Sequence, residues 1–466
     1  MKVTLPPLLA QIFESIRKDG GRALLVGGFV RDLVLGIDSV DYDVEVYGLD
    51  VESLNNLLSQ SSEVVSVGKA FGVLKVKGID TDFSLPRKDS KVGKGHRGIA
   101  VETDPGLSFP DAARRRDFTI NSMGLDPLTG EILDPFDGRG DLKNRVLRVT
   151  DPKTFPEDPL RPLRAVQFLS RFDLTAEETL TSLTRSMVSR GDLQELAEER
   201  VFDEFSKLLL KGDQPSRGLY FMKESGLLEL FPEMSAMVGC EQEPEWHPEG
   251  DVWVHTLMAL DVATTFRSGD REEDLILMLG VLCHDFGKPA TTEKIDGRWR
   301  SFDHEGAGEA PTRTFLQGLK GVPERVVESV VALVKTHLTP AHWQKGSAGP
   351  GAYRRLARKL ELAGTSSEML EKVARSDHFG RTTPDALARE FPAGDSFLEK
   401  VRALKIEKEA PKDVVLGRHL IAHGFTPGPQ FGGILQRCRD VQYEKGIETP
   451  EEILAIVLAD FPKDTE

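Results

Sequence analysis

The stretch Gly27-Gly28-Phe29-Val30-Arg31-Asp32-Leu33-Val34-Leu35-Gly36, followed after four residues by Asp41-Tyr42-Asp43, decides how the start of this chain is read. Apolar Leu24–Val26 ahead of it predicts a strand, Gly27-Gly28 breaks that strand, and Phe29–Leu35 predicts a short helix closed by Gly36. Glycines at such a junction let phosphate oxygens approach the N–H groups at the helix's positive end. Arg31, one turn into the helix, adds a charged donor. Alone, Gly-Gly after a strand reads equally well as a plain turn. The acids say more. Asp41–Tyr47 predicts a strand, on which residues i and i+2 share a face, so Asp41 and Asp43 converge while Tyr42 and Val44 pack behind them. Two carboxylates on one face repel unless a cation lies between them, and hard oxygen ligands suit Mg²⁺. Glu45 continues that face one pleat further on. The competing reading is a solvated edge strand with its acids in water.

Working outward, Leu9, Ile12, Phe13 and Ile16 mark an amphipathic helix before the first strand. Further strands are predicted at Val73–Lys77 and around Asp80-Thr81-Asp82-Phe83, with a hairpin from Gly124 to Asp134. Beyond Asp151 strand signals fade. Helices are predicted at Arg161–Phe172, Arg200–Leu210, Arg217–Leu228, Leu257–Phe266, Leu275–Cys283 and Val326–His337. The fold class is therefore α+β: a head with a small mixed sheet, then an all-helical body. At 466 residues the chain exceeds one core, and the expected divisions are 1–149, 150–238, 239–385 and 386–466. Gly239–Gly250 reads as a linker and Lys345–Ala352 as a second loose, polar segment; there is no internal repeat.

Composition bounds the function without deciding it. Hydrophobic residues make up 39% and charged residues 29%, an ordinary soluble balance. No apolar run reaches the roughly 18–20 residues of a membrane helix, and the N-terminus lacks the layout of a signal peptide. Cys240, Cys283 and Cys438 are too scattered for a metal or redox motif, so a cytoplasmic, reduced setting is expected. The net charge of −15 argues mildly against nucleic acid, yet arginines cluster at Arg114–Arg116 and at Arg161, Arg164 and Arg171. That combination suggests selective binding of a particular RNA.

Further segments follow in order: Arg115-Arg116-Asp117-Phe118-Thr119-Ile120-Asn121-Ser122-Met123, then Asp134-Pro135-Phe136-Asp137-Gly138 with Asp141-Leu142, then Glu157-Asp158-Pro159-Leu160-Arg161-Pro162-Leu163-Arg164-Ala165. Together with the opening stretch, they resemble the signature of class II tRNA nucleotidyltransferases and bacterial poly(A) polymerases, of the polymerase-β superfamily, over about the first 235 residues. The resemblance implies a catalytic, Mg²⁺-binding pair at Asp41 and Asp43, with Asp82 as the third active-site carboxylate. It implies nucleotide contacts from Gly28, Arg31, Arg116, Asp158, Arg161 and Arg164, with Asp117 and Asn121 fixing a local turn or the ribose.

Asp158 and Arg161 are three apart, hence expected on one helical face. A carboxylate accepts and a guanidinium donates, so side by side they match the amino group and ring nitrogen shared by cytosine and adenine. Uracil and guanine reverse both contacts and leave buried charges unpaired. The competing reading is a surface ion pair. Pro162 is expected to kink the helix or mark its first turn, and Gln167 stands where many relatives carry arginine.

The middle carries His247-Pro248-Glu249-Gly250-Asp251-Val252-Trp253-Val254-His255, then His284-Asp285, His304, His337 and Asp377. Histidine with carboxylate is a metal-ligand set. The order His255, His284-Asp285, Asp377 resembles the HD phosphohydrolase superfamily. That resemblance makes these four the ligands of a divalent metal of unknown identity, Lys288 a phosphate contact, and His304 and His337 additional ligands. The tail from Val414 to Leu458 resembles the C-terminal helices of HD-containing tRNA nucleotidyltransferases; Arg418 and Gly428 there read either as phosphate contacts or as a helix-capping turn.

The function implied is addition of C and A to tRNA 3′ ends, with tRNA, CTP and ATP as partners and no membrane. The HD part implies hydrolysis of small phosphoesters or of a 2′,3′-cyclic phosphate at a damaged tRNA end. Ser90 to Thr103, rich in Gly and Lys, is where flexibility would govern the switch from C to A. The alternatives are a partial CC- or A-adding enzyme, or a phosphohydrolase whose head only binds RNA. The HD middle and the absence of a strongly basic tail speak against a poly(A) polymerase.

Overall fold

A computed structural model describes residues 3–67, 73–91, 99–345 and 348–461. Residues 92–98, within the stretch expected to govern the C-to-A switch, lie outside the described residues, as do 346 and 347 of the expected loose segment. The chain divides into two compact units, Met1–Leu230 and Phe231–Glu466.

The first unit is built on strands β1 (Arg22–Val26), β2 (Tyr42–Tyr47), β3 (Val64–Val67), β4 (Val73–Val76) and β5 (Thr81–Ser84). A separate hairpin, β6 (Arg87–Lys91) with β7 (Ile99–Thr103), precedes β8 (Gly124–Asp126) and β9 (Glu131–Leu133). Seven of these form one mixed sheet in the order β3-β4-β5-β2-β1-β8-β9, with only β2 and β5 parallel. Burying Leu9, Ile12, Phe13 and Ile16 of the helix Pro7–Lys18 anchors it, at about 1.5–3 kcal/mol per side chain. The edge strand β3 escapes the sequence reading because Val64–Val67 is too short to show a period.

After the sheet, Arg161–Arg171 is buried along most of its length and packs against the helices Glu198–Lys211 and Pro215–Glu224. The approach is close: a Cβ at Gly218 would lie 2.3 Å from the carbonyl oxygen of Val166. Pro162 occupies the first turn and causes no kink. Two short strands pair in parallel, β10 (Val146–Leu147) at the end of the head and β11 (Thr175–Ala176) inside the region read as helical.

The second unit is helical, with Val252–Ala263, Arg271–Cys283, Glu324–Val334 and Ser367–Phe379 packed on one another. Gly380 permits one such approach, since a Cβ there would meet the backbone of Ala259 at 2.8 Å. A hairpin of β12 (Thr292–Ile295) and β13 (Arg298–Ser301) interrupts the helices. The last helices, Gly417–Ala422, Pro429–Lys445 and Pro450–Val457, enclose Leu420, Ile434, Cys438, Val441 and Ile453. Among the described residues no helix is long and apolar enough to cross a membrane.

Candidate functional site

In the first unit, strand pairing brings the acids together. Asp43 on β2 is the register partner of Asp82 on the parallel β5, and paired residues of neighbouring strands present their side chains to the same face. Asp41 lies one residue before β2, not within it, and is exposed. Asp82 is also in register with Lys75 on β4, whose Nζ is 2.7 Å from Asp82 Oδ1. Asp43 is partly exposed to solvent. Burial, opposed by Arg116 and reinforced by Asp41 and Asp82, raises its pKa above the usual carboxylate value. Three acids that disfavour one another's charge are the electrostatic condition that a divalent cation relieves.

Gly27 closes this cleft at a φ of 71°, in the left-handed region where glycine is favoured. A Cβ there would lie 3.0 Å from Arg116 Nη1 and 3.7 Å from Asp43 Oδ2, so the missing side chain is what opens the space between cation and acid. Arg116 is held from behind. Glu45, fully buried, accepts hydrogen bonds from Tyr47 Oη (2.6 Å) and Arg115 Nη2 (3.1 Å), and lies 3.9 Å from Arg116 Nη2. Burial would raise the Glu45 pKa, but Arg116, Arg115 and the Tyr47 hydrogen bond outweigh it and keep the carboxyl below its ordinary value. Glu45 is thus an anchor for arginines and not a third acid on the Asp41–Asp43 face. Arg116 Nε is buried with no hydrogen-bond partner among the described residues, which suits a group awaiting an anion.

Arg31 differs from expectation. It is buried, its Nη1 donates to Asn121 Oδ1 at 2.8 Å, its Nη2 pairs with Asp32 Oδ1 at 2.7 Å, and its guanidinium lies 4.5 Å from the ring centre of Phe172. It still borders Gly28, where a Cβ would be 3.5 Å from Arg31 Nη2. Asn121 continues a chain: its Nδ2 donates to Asp117 Oδ1 (3.0 Å), and Arg164 Nε donates to Asp117 Oδ2 (2.7 Å). Burial raises the Asp117 pKa, but Arg164 and Asn121 overcome it and hold the carboxyl below the usual range. Arg31 and Arg164 therefore sit at two ends of one buried network.

Asp158 and Arg161 do not share a helix face. Asp158 is extended (φ −113°, ψ 104°) and precedes the helix, where its Oδ1 caps Leu160 N at 3.0 Å. Arg161 is the first helical residue; its Nη1 donates to Thr154 O at 2.6 Å and its Nη2 to Arg115 O. The i,i+3 argument assumed a helix that starts three residues too early. Carbonyls fix the guanidinium plane, and Asp158 is 3.8 Å from Arg200 Nη2, a partner the sequence did not suggest. Of the remaining motif, Asp141 accepts from Thr119 Oγ1 at 2.7 Å, and Gly138 passes so close to Thr119 that a Cβ would meet its carbonyl oxygen at 2.3 Å; these residues build the turn that carries Asn121.

In the second unit, His255, His284, Asp285 and Asp377 are brought together, and His304 and His337 join them. His255 Nε2 lies 3.1 Å from Asp377 Oδ1, His284 Nε2 3.1 Å from Asp285 Oδ2, and His304 Nε2 3.4 Å from Asp285 Oδ1. The outward nitrogens explain the arrangement. His284, His304 and His337 place Nδ1 at 2.7–2.8 Å from the carbonyls of Val281, Ser301 and Val334. A carbonyl only accepts, so each Nδ1 carries a proton, and in the neutral ring Nε2 turns a lone pair inward. His255 Nδ1 is likewise 2.8 Å from Glu249 Oε1. Burial drives His337 down to about 3, so that ring is neutral near pH 7. His284 Nε2 and both Asp285 oxygens are buried, and their polar neighbours are one another, His304 Nε2 and Lys288 Nζ. Inward ring nitrogens beside buried carboxylate oxygens fit a metal, and His255–His284–Asp285 and Asp285–His304–His337 each bring three ligand atoms within 4.8 Å of one another.

Lys288 Nζ is 2.7 Å from Asp285 Oδ2 and Arg381 Nη2 is 3.2 Å from Asp377 Oδ1, cations at the cluster's edge. Glu249 and Arg381 escaped the sequence reading; the His-x-Glu spacing of His247 and Glu249 was its available signal, while Arg381 becomes visible only one helical turn past Asp377. Gly239–Gly250 is no loose linker, because Glu243 Oε2 accepts from Trp299 N at 3.0 Å and Gln242 Oε1 from Lys288 Nζ at 2.7 Å. In the tail, Arg418 and Gly428 lie at helix starts, with Arg418 Nε donating to His419 Nε2 at 3.3 Å.

Residues 23–148 match the family model described as the poly A polymerase head domain, and residues 176–237 match that of a probable RNA and SrmB-binding site of polymerase A. The multifunctional CCA protein of Xanthomonas campestris pv. campestris (strain B100) is 33% identical over 428 residues, covering 89% of this chain and 96% of its own. That of Xanthomonas oryzae pv. oryzae (strain MAFF 311018) is 35% identical over 426 residues, with the same coverage of 89% and 96%. Among solved structures, the Bacillus stearothermophilus CCA-adding enzyme in complex with CTP has a TM-score of 0.65 at 22% identity, covering 98% of each chain. The Thermotoga maritima CCA-adding enzyme complexed with tRNA_CCA has a TM-score of 0.59 at 22% identity, covering 98% of this chain and 97% of its own. Those structures speak for the fold, a polymerase-β-type head followed by helices; the extended identity to the Xanthomonas proteins goes further, and by it the chain belongs to the CCA-protein family of tRNA nucleotidyltransferases.

Proposed function

We propose that this chain adds C and A nucleotides to the 3′ end of tRNA, using CTP and ATP. The observation that carries the reading is the meeting of Asp41, Asp43 and Asp82 beside the side-chain-free Gly27 and the half-satisfied Arg116. Asp41 and Asp43, with Asp82 beside them, would hold Mg²⁺, which when bound neutralises phosphate charge and lowers the pKa of a nearby hydroxyl. The chain's own residues do the positioning. Gly27 and Gly28 leave room for a triphosphate against the helix start, Arg116 supplies a guanidinium to it, and Glu45 keeps Arg116 aimed there. Lys75 holds Asp82. Asp158 and Arg161 read the base edge, with Arg161 held flat by two carbonyls and Arg164 steadied by Asp117.

We assign nucleotidyl transfer to 1–149, base and RNA contact to 150–238, the HD part to 239–385 and tRNA contact to 386–466. We infer a cytoplasmic setting, the one in which tRNA, CTP and ATP meet such an enzyme. The test offers tRNA lacking zero, one, two or three terminal nucleotides, with CTP and ATP supplied separately and together, and reads product length. Restoration of all three confirms full CCA addition; extension only by CC, or only by the last A, makes it a partial enzyme.

A second reading stands beside the first. The inward lone pairs of four histidines around Asp285 and Asp377 support a divalent metal and hydrolysis of a phosphoester in the second unit. There Asp285 and Asp377, with His255 and His284, would hold the ion, and Lys288 would draw in the phosphate. Metal-dependent release of phosphate from small phosphoesters, lost on chelation, tests it.

A further inference from the structure

The carboxylates of the first unit's cleft stand in a line with a lysine at its end. Register pairing aligns Lys75 on β4, Asp82 on β5 and Asp43 on β2 across three neighbouring strands, so their side chains leave the same face of the sheet. Past Asp43 the line reaches Val26 of β1 and then the open Gly27, where Arg116 lies. Two acids are thus held between two cations, and the cations differ. Arg116 is largely buried, with Glu45 3.9 Å away behind it. Lys75 is 44% exposed, and its Nζ meets Asp82 Oδ1 at 2.7 Å. Its register partner on the other side, Val65 of β3, is half-exposed and apolar and gives the ammonium no second anchor. The hydrogen bond to Asp82, with the charges of Asp82, Asp80 and Asp41, raises the Lys75 pKa above its ordinary value. The group therefore stays an ammonium throughout the neutral range.

That tie is a weak one. An ion pair whose members are 44% and 40% exposed gains little over two solvated charges. A lysine stem is flexible, and its strongly hydrated ammonium loses little on returning to water. On its other side Asp82 is in register with Asp43, and two neighbouring acids attract a divalent ion more strongly than a single charge. Lys75 and such an ion compete for the same carboxylate.

We propose that Lys75 is a resident counter-ion of the acid row: it occupies Asp82 until a divalent ion takes that carboxylate, and so weakens metal binding by the nucleotide-free head. This rests on the proposed Mg²⁺ site at Asp41, Asp43 and Asp82. In the exchange, Asp82 Oδ1 gives up the hydrogen bond from Nζ and turns to the ion. Lys75 keeps its proton and swings into the solvent it already faces, so no proton is released there. Asp41 and Asp43 are then the standing pair, and Asp82 joins them only in the loaded state. Lys75 acts through Asp82 and is a positioning residue.

The test is Mn²⁺ binding to the full chain without nucleotide, read by electron paramagnetic resonance. Binding that Asp43→Asn abolishes belongs to the head and is thereby separated from that of the histidine cluster. Lys75→Met keeps the stem without the charge and is expected to tighten head binding by about fivefold or more. Lys75→Arg stays within about twofold of the parent. The Mg²⁺ concentration giving half-maximal CTP incorporation falls in parallel for Lys75→Met. With Asp82→Asn in place the gain disappears: Lys75→Met then changes head binding by less than about twofold, or neither form binds. An equal gain with the asparagine present makes Lys75 a general charge and overturns the exchange. Unchanged or weaker binding in Lys75→Met overturns the proposal and leaves the metal site standing. Weaker CTP binding by Lys75→Met in metal-free buffer also overturns it, since the lysine is then a phosphate contact. Head binding seen only in Lys75→Met upholds the proposal. Its absence from both parent and variant removes the metal reading itself, and the proposal with it.

Discussion

Replacing Asp117 by alanine removes the centre of the network that joins Arg31 to Arg164. Its carboxylate accepts from Phe118 N (2.8 Å), Asn121 Nδ2 (3.0 Å) and Arg164 Nε (2.7 Å). Breaking a buried ion pair from one side costs about 3–5 kcal/mol. Arg164 keeps 33% of its side chain exposed and can recruit water, which places this pair at the low end. Phe118 N and Asn121 Nδ2, both in buried residues, lose their acceptor as well, and each unsatisfied donor costs about 1–3 kcal/mol. These losses overlap, so about 3–4 kcal/mol is expected for the whole. For a unit of this size each kcal/mol moves Tm by about 2–4 °C, giving a fall of about 6–16 °C. Calorimetry of the full chain reads it in the transition of the first unit. Asp117→Asn keeps one acceptor oxygen and should lose about half as much. A change below about 2 °C for the alanine variant would refute the network as a stabilising element.

Acid unfolding tests the same carboxyl by charge. The folded pKa of Asp117 is depressed, so its contribution is complete above the unfolded value of about 3.9 and is lost as pH falls through the lower folded value; below about pH 4 the parent should lose stability more steeply than Asp117→Asn, as read by urea midpoints across pH. Arg161→Ala should loosen nucleotide choice, cutting the preference for CTP over UTP on one tRNA by about tenfold or more, whereas equal discrimination in variant and parent would end the base-reading proposal. In the second unit, His284→Ala should abolish metal-dependent phosphoesterase activity and leave nucleotide addition unchanged. Glu249→Ala, which removes the acceptor of His255 Nδ1, should weaken metal binding by about 10–100-fold in calorimetric titration.

Local pattern made much of this legible. Gly27-Gly28 at a strand-to-helix junction, the closing Gly36 and the turn at Asp126–Gly130 are properties of neighbouring residues, and the structure has them where the sequence puts them. What depended on register or distant partners was not legible. Nothing in Val73–Val76 announces that Lys75 will face Asp82, because that follows from which strands pair. Glu45 shares a strand parity with Asp43, yet Arg115 and Arg116, just past the end of the helix Phe109–Ala113, turn it into a buried anchor. The Asp158–Arg161 spacing misled because i,i+3 means a shared face only inside a helix, and the helix begins at Arg161. The linker reading of Gly239–Gly250 failed for a similar reason: its glycine, proline and acids look loose, but hydrogen bonds to β13 and Lys288 hold it.

The central claim is that Asp41 and Asp43 drive transfer, and the most direct measurement is extension of a tRNA lacking its last three nucleotides by Asp43→Asn, with CTP, ATP and Mg²⁺ present. The side chain keeps its size and loses its charge. The account predicts a rate lower by about a thousandfold or more, equivalent to about 4 kcal/mol of barrier, with tRNA affinity within about threefold of the parent. Extension at the parental rate would contradict it.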